Sequence, residues 1–185
     1  MKIVCLGSSA GGLAPTIQFF KHMEPNTGMA FVVIQHLNAG SPSLTPEILS
    51  IITPMKVSAA IDQERVLLNR VYTIKPNTQL TIRNDLFQVS ARTESPYRHK
   101  PFDRFLKSLA HNSGEHAIAV VLSGYDGDGS AGFIAIKAHG GVTYAQDRSS
   151  LVSEMPQHAI QTGCVDHVLS PTDIAEAISA RNRAE

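Results

Sequence analysis

Apolar residues along this chain fall into two alternating patterns. Short unbroken runs occur at Lys2–Leu6, Met29–Ile34 and Ala117–Leu122, and each is followed by glycine, serine or a polar turn. Runs of this kind predict strands buried on both faces of a parallel sheet. Between them the spacing becomes helical. Leu13, Ile17 and Phe20 recur at one face of a helix predicted over Leu13–His22, with Pro15 fitting only in its first turn. Leu44–Ile52, with Pro46 near its start, reads as a second helix, and Met55–Ala59 as a short third strand. Phe102, Phe105, Leu106 and Leu109 share another helical face. Ser130–Ala138 is predicted helical and stops at Gly140-Gly141, while Val142–Ala145 and Val165–Leu169 are the last strands. The final helix has a capped start: Ser170 at the N-cap, Pro171 at the first position and Asp173 three residues after the cap.

The middle of the chain has a different period. Val71–Ile74, Gln79–Arg83 and Leu86–Val89 read as short strands, with Asn84-Asp85 as a hairpin turn between the last two. This section is expected to be an antiparallel excursion at one edge of the sheet. Strand and helix otherwise alternate. The predicted fold class is α/β: a doubly wound, mostly parallel sheet with helices on both faces and an antiparallel edge hairpin, in a single domain over residues 1–185.

Charge narrows the function classes. Sixteen basic residues balance sixteen acidic ones, so the basic excess of a nucleic-acid binder is missing. No apolar run approaches the roughly 20 residues of a membrane helix, and no membrane insertion is expected. Two cysteines, Cys5 and Cys164, are too few for a disulfide framework. The N-terminus runs straight into a strand pattern without signal-peptide anatomy, so a cytoplasmic protein is expected.

In doubly wound sheets, ligands bind beyond the carboxyl ends of the strands. Three segments lie there. Gly7-Ser8-Ser9-Ala10-Gly11 matches G-x-S-x-G between a strand and a helix, which makes Ser9 a candidate nucleophile on a tight turn. The plainer alternative is a glycine-rich turn that binds phosphate or merely connects two elements. Ile34-Gln35-His36-Leu37-Asn38 places His36 directly after the second strand; the other seven histidines fall elsewhere. Ser123-Gly124-Tyr125-Asp126-Gly127-Asp128-Gly129 follows the strongest strand. A calcium loop fails there, because the twelfth position from Asp126 is Lys137 where a bidentate Glu is needed. A helix N-cap by Asp128 is the remaining plain reading. Together the three segments supply serine, histidine and carboxylate, the set that activates a hydroxyl nucleophile. Their chain order differs from the Ser, Asp, His order of the common α/β-hydrolases.

At these residues the chain resembles the catalytic domain of the chemotaxis protein-glutamate methylesterases, the CheB family. The likeness runs from Ile3 to about Ile178. It is carried by Leu6-Gly7-Ser8-Ser9-Ala10-Gly11-Gly12, Val33-Ile34-Gln35-His36 and Val121-Leu122-Ser123-Gly124 with Asp128-Gly129. Gly28-Met29-Ala30-Phe31-Val32-Val33 and Phe102-Asp103-Arg104-Phe105-Leu106-Lys107 are closer to the form found in CheB–CheR fusion proteins. The resemblance implies Ser9 as nucleophile, His36 as general base and Asp128 as the carboxylate that orients it. Ala10, Gly11, Gly12 and Tyr125 would then supply oxyanion or turn backbone. It further implies hydrolysis of glutamate methyl esters on the cytoplasmic helices of methyl-accepting chemoreceptors, deamidation of glutamines, and no cofactor. A CheR-type methyltransferase domain is a second implied partner. Family members often carry an N-terminal receiver domain; none is expected in this chain.

The chain departs from the family pattern in its third segment. Thr-Gly-Met-Gly is usual there, so Tyr125 stands at the Met position and Asp126 at a Gly. Asp126 adds a carboxylate that bears on backbone geometry and on anionic substrates. Two other functions stay open at this point: a non-catalytic module that binds receptor or methyltransferase, and a serine esterase for another substrate. Arg98, Lys100 and Arg104 form a local basic cluster, read as a solvated face in preference to a receptor contact.

Overall fold

A computed structural model describes residues 1–36, 43–93 and 99–184. Leu37, Asn38 and Arg98, named above, lie outside the described residues.

Strand β1 (Ile3–Ser8) is the centre of a seven-stranded sheet. Its side chains alternate between two cores: Ile3 and Cys5 pack on one face, Val4 and Leu6 on the other. Alternation with no polar face is why the run is continuously apolar. Helix α1 (Leu13–His22) returns the chain to β2 (Ala30–Gln35), which lies parallel to β1. Phe19 and Phe20 from the helix meet Phe31 from the strand edge-on, with centroids 6.3 and 5.7 Å away. Next come α2 (Thr45–Ile52), β3 (Lys56–Ala59) and β4 (Arg70–Thr73), all close to their predicted places.

Strand β4 belongs to the main sheet, parallel to β2 on one side and to β3 on the other. The expectation that Val71–Ile74 joins the antiparallel excursion is therefore corrected. Val71 and Tyr72 are buried on opposite faces, as suits a strand paired on both sides in a sheet covered on both faces. Strands β5 (Thr78–Arg83) and β6 (Leu86–Ala91) form a separate two-stranded sheet. Asn84 and Asp85 have φ values of 53° and 60°, as a type I′ turn requires. The hairpin buries Leu80, Ile82 and Phe87 on one face only, and Phe87 meets Tyr72 edge-on at 4.8 Å.

Helix α3 (Pro101–Ser113) then crosses the opposite face of the sheet from α1 and leads to β7 (Ala117–Val121), which pairs with β1. Helix α4 (Ser130–Ala138), β8 (Val142–Gln146), α5 (Glu154–Gln161), β9 (His167–Leu169) and α6 (Pro171–Ala184) complete the order. Asp173 N–H donates to Ser170 Oγ at 3.2 Å, as the predicted cap requires. Helix α5 lies between the last two predicted strands, where the hydrophobic pattern gave no helix.

The strand order is β3-β4-β2-β1-β7-β8-β9, all parallel. The chain leaves β1 towards α1 on one face and leaves β7 towards α4 on the other. The connections therefore diverge between β1 and β7, and a crevice opens beyond their carboxyl ends.

Candidate active site

Ser9, His36 and Asp128 follow β1, β2 and β7, three neighbouring strands, so the sheet brings their ends together. Beyond β1, the Ser9 N–H donates to the Ser123 carbonyl at 3.0 Å. The Gly12 N–H returns to the Ser9 carbonyl at 3.0 Å, which closes the turn and makes Gly12 turn backbone. Gly11 has φ +71°, a region that disfavours side chains, so this tight turn requires glycine there. The His36 N–H donates to the Ser8 carbonyl at 3.1 Å, extending the ladder one step past the strands.

Ser123 joins the first turn to the third. Its hydroxyl donates to the Ala10 carbonyl and accepts the Val152 N–H, both at 2.9 Å. Its own N–H donates to Gln146 Oε1 at 2.9 Å. The side chain is completely buried. Sequence reasoning placed Ser123 in the motif without a role; a buried hydroxyl with two partners, on a residue whose N–H has a third, is a structural clamp for both turns.

Asp128 is fully buried and accepts three hydrogen bonds. His36 Nε2 lies 2.6 Å from Oδ2, the Phe102 N–H donates to the same oxygen at 3.0 Å, and the Asp103 N–H donates to Oδ1 at 2.8 Å. Phe102 and Asp103 open α3, whose unpaired N–H groups and positive dipole end suit a carboxylate. Asp128 therefore does not cap α4, where Gly129 stands at the N-cap with no side-chain bond. The Asp103 carboxylate reaches on to the Gly132 N–H at 2.8 Å and ties α3 to the first turn of α4. Burial raises the pKa of Asp103; the Gly132 bond opposes it, and the Asp128 charge adds to it.

Facing a carboxylate, His36 Nε2 carries the ring proton and leaves Nδ1 as the basic nitrogen. Burial pulls the His36 pKa down, but the hydrogen bond and charge of Asp128 and the charge of Asp126 outweigh it, so the pKa is raised. Asp126 Oδ2 lies 3.7 Å from Nδ1. Among the described residues the Ser9 hydroxyl makes no hydrogen bond to His36. Such contacts often close only once substrate is seated.

Ala10, Gly11 and Gly12 lie on the Ser9 turn, and Tyr125 on the turn after β7, 57% exposed. Leu151, 83% exposed, stands against the Ser9 turn: a Cβ at Gly11 would lie 3.1 Å from its own Cβ. From α5, His158 Nδ1 donates to the Asp126 carbonyl at 2.8 Å. That histidine sits in a polar stretch with no motif to mark it. Cys5 is wholly buried, and burial with the nearby Asp128 charge raises its thiol pKa well above the ordinary value, leaving a packing role. Among the described residues no group of three or more His, Cys, Asp or Glu side chains converges on a metal position. No helix among them is long and apolar enough to cross a membrane.

Comparison with known proteins matches residues 4–178 to the family described as CheB methylesterase. A protein-glutamate methylesterase/protein-glutamine glutaminase of Bordetella parapertussis is 34% identical over 97% of this chain and 53% of its own length. One from Nitrosomonas europaea is 31% identical over 97% of this chain and 51% of its own. The chain thus spans about half the length of the curated relatives it matches. The crystal structure of the Thermotoga maritima CheB methylesterase catalytic domain superimposes with a TM-score of 0.88 at 28% identity, covering 97% of this chain and 98% of that one.

Proposed function

The chain belongs to the CheB methylesterase family, and from that premise we propose that it is a cytoplasmic serine hydrolase acting on chemoreceptors in chemotaxis. It removes methyl esters from glutamate side chains and also deamidates glutamines. The observation that carries the proposal is the 2.6 Å pair between His36 and buried Asp128, set at the strand ends beside the Ser9 turn.

The chemistry follows from those roles. Ser9 Oγ attacks the ester carbonyl while His36 Nδ1 accepts the hydroxyl proton. Asp128, locked by two backbone N–H groups, keeps the imidazole in the Nε2–H tautomer and stabilises the imidazolium. Backbone N–H groups of the Ser9 and Tyr125 turns are the donors for the oxyanion. The imidazolium then protonates the departing methanol, and water repeats the sequence on the acyl-enzyme. No step calls for a cofactor. Residues 1–185 act as one catalytic domain.

The partner is the cytoplasmic helical bundle of a methyl-accepting receptor, with a CheR-type methyltransferase domain as a second partner. Exposed Tyr125 and Leu151 beside the site suit a broad protein surface better than a small ester. The test is methanol release from methylated receptor membranes, comparing wild type with Ser9→Ala. Release by wild type alone is expected. Equal release by both, or none from a folded wild type, overturns the proposal. Labelling by a fluorophosphonate separates a hydrolase from a binding module: loss of label in Ser9→Ala marks the hydrolase, and an unlabelled wild type marks the module.

A further inference from the structure

We propose that Asp126 is a positioning residue for the general base. Its carboxylate faces His36 Nδ1 at 3.7 Å, too far for a hydrogen bond but close enough to act by charge, while Asp128 holds Nε2 at 2.6 Å, so the ring that receives a proton from Ser9 has a negative charge near each nitrogen. Its role in proton transfer rests on the hydrolase reading; its coupling to His36 does not.

The geometry is built from the backbone outward. Asp126 has φ +69°, a left-handed conformation that aspartate and asparagine tolerate better than most residues. Oδ1 accepts the Asp128 N–H at 2.7 Å, which folds the turn back on itself. The other oxygen, Oδ2, is thereby directed to His36 Nδ1 at 3.7 Å. The turn is held from outside as well. His158 Nδ1 donates to the Asp126 carbonyl at 2.8 Å, and the Asp126 N–H donates to Glu154 Oε2 at 3.4 Å. One carboxylate thus does two separable jobs. Oδ1 shapes the turn that carries Asp128, and Oδ2 faces the ring.

Nδ1 is the nitrogen that matters for Ser9, because Nε2 is committed to Asp128. With His36 neutral, a carboxylate beside Nδ1 favours protonation there and delays formation of the free base as pH rises. Once Nδ1 has taken the Ser9 proton, the same charge stabilises the imidazolium. Asp126 therefore trades activity at low pH for a faster step where His36 is free. The other titratable groups around this ring and its carboxylates are Asp128, Glu154 and His158 from α5, Asp103 and Lys100 at the start of α3, and Cys5 on β1. Of the two carboxylates facing the ring, Asp128 is fully buried and Asp126 is 53% exposed. Salt therefore screens the Asp126 interaction far more than that of Asp128.

Asp126→Asn is the discriminating variant. It keeps an oxygen for the Asp128 N–H and tolerates the left-handed backbone, but removes the charge. Two readouts are taken on wild type and variant: the NMR titration of the His36 ring, and the rate of fluorophosphonate labelling of Ser9 against pH. The His36 titration is expected to move to lower pH in Asp126→Asn, and added salt to move the wild type the same way. The labelling curves are expected to cross, the variant being faster on the acid side and slower on the plateau. An unmoved His36 titration overturns the proposal whatever the labelling shows. Slower labelling at every pH with an unchanged midpoint overturns it in favour of a structural role for Asp126. Failure of the wild type to label at any pH overturns the hydrolase reading instead, and the NMR titration still decides whether Asp126 couples to His36.

Discussion

The Phe102 N–H donates to Asp128 Oδ2 at 3.0 Å, the same oxygen that lies 2.6 Å from His36 Nε2. The start of α3 and the histidine after β2 therefore share one acceptor atom. Asp128→Asn replaces one of its two oxygens with an NH2 group that cannot accept. An NH2 at Oδ1 strands the Asp103 N–H, and one at Oδ2 faces both the Phe102 N–H and His36 Nε2, at about 1–3 kcal/mol for each buried group left unpaired. The tautomer of His36 is also no longer fixed. Labelling of Ser9 is expected to fall by about 10³–10⁴-fold, with a lowered Tm. A fall of less than tenfold would show that His36 does not depend on this pair.

Gly7 touches the same arrangement from beneath. A Cβ at that position would overlap the Phe102 ring. Gly7→Ala is expected to cost roughly 1–3 kcal/mol by overpacking and to slow labelling by shifting the Phe102 N–H away from Asp128. Phe102→Leu in that background should recover part of both losses. A double-mutant cycle in Tm and labelling rate measures the coupling, and strict additivity would refute it.

The raised pKa of His36 fixes two pH dependences. The acid limb of Ser9 labelling is expected above the ordinary histidine value of about 6.5. For stability the sign is opposite. His36 gains its partners as a cation, so its contribution is complete below about pH 6.5 and is lost as pH rises through the folded pKa. The stability difference between wild type and His36→Gln, followed by denaturant melts, should therefore shrink as pH rises across that window. A difference that grows with pH would show that the neutral ring is the form the fold prefers.

The hairpin turn offers a control remote from the chemistry. Asn84 and Asp85 both lie at positive φ, and Asn112 Nδ2 on α3 donates to Asp85 Oδ1 at 3.0 Å. Asn84→Ala is expected to cost about 1–2 kcal/mol from backbone strain. Asp85→Ala should cost more, because it also loses the Asn112 bond. Neither should change the labelling rate per folded molecule; a change would show that the hairpin transmits strain along α3.

Much of this was legible along the chain, for reasons that can be assigned to residues. The runs around Cys5, Val32 and Val120 are continuously apolar because those strands are covered on both faces. The hairpin announced itself through Asn84-Asp85, and α6 through Ser170 and Asp173. Helix α5 did not, because only Met155, Pro156 and Ala159 point inward among polar neighbours, too few to set a helical period. The allegiance of β4 was hidden because the composition of Val71–Ile74 suits either sheet and its partners are far off in the chain. In the site, Ser9, His36 and Asp128 carry recognisable side chains in recognisable places. The groups that hold Asp128 are backbone N–H groups of α3, and a backbone donor leaves no mark in composition. The position of Asp126 against the second ring nitrogen likewise depends on a left-handed turn that the residue type permits but does not announce.

The strand order also sets a timetable for synthesis. Ser9 and His36 emerge on β1 and β2, but the carboxylate that completes the pair with His36 lies 92 residues further on; at roughly 5–20 residues per second a ribosome needs about 5–20 seconds to reach it. The start of α3, which locks Asp128, is made only shortly before β7. Throughout that interval a nascent chain carries a serine and a histidine without the group that orients them. On the proposed hydrolase reading, competence therefore waits for the segment after β7, and a product cut short before it is inert even if β1 and β2 have paired.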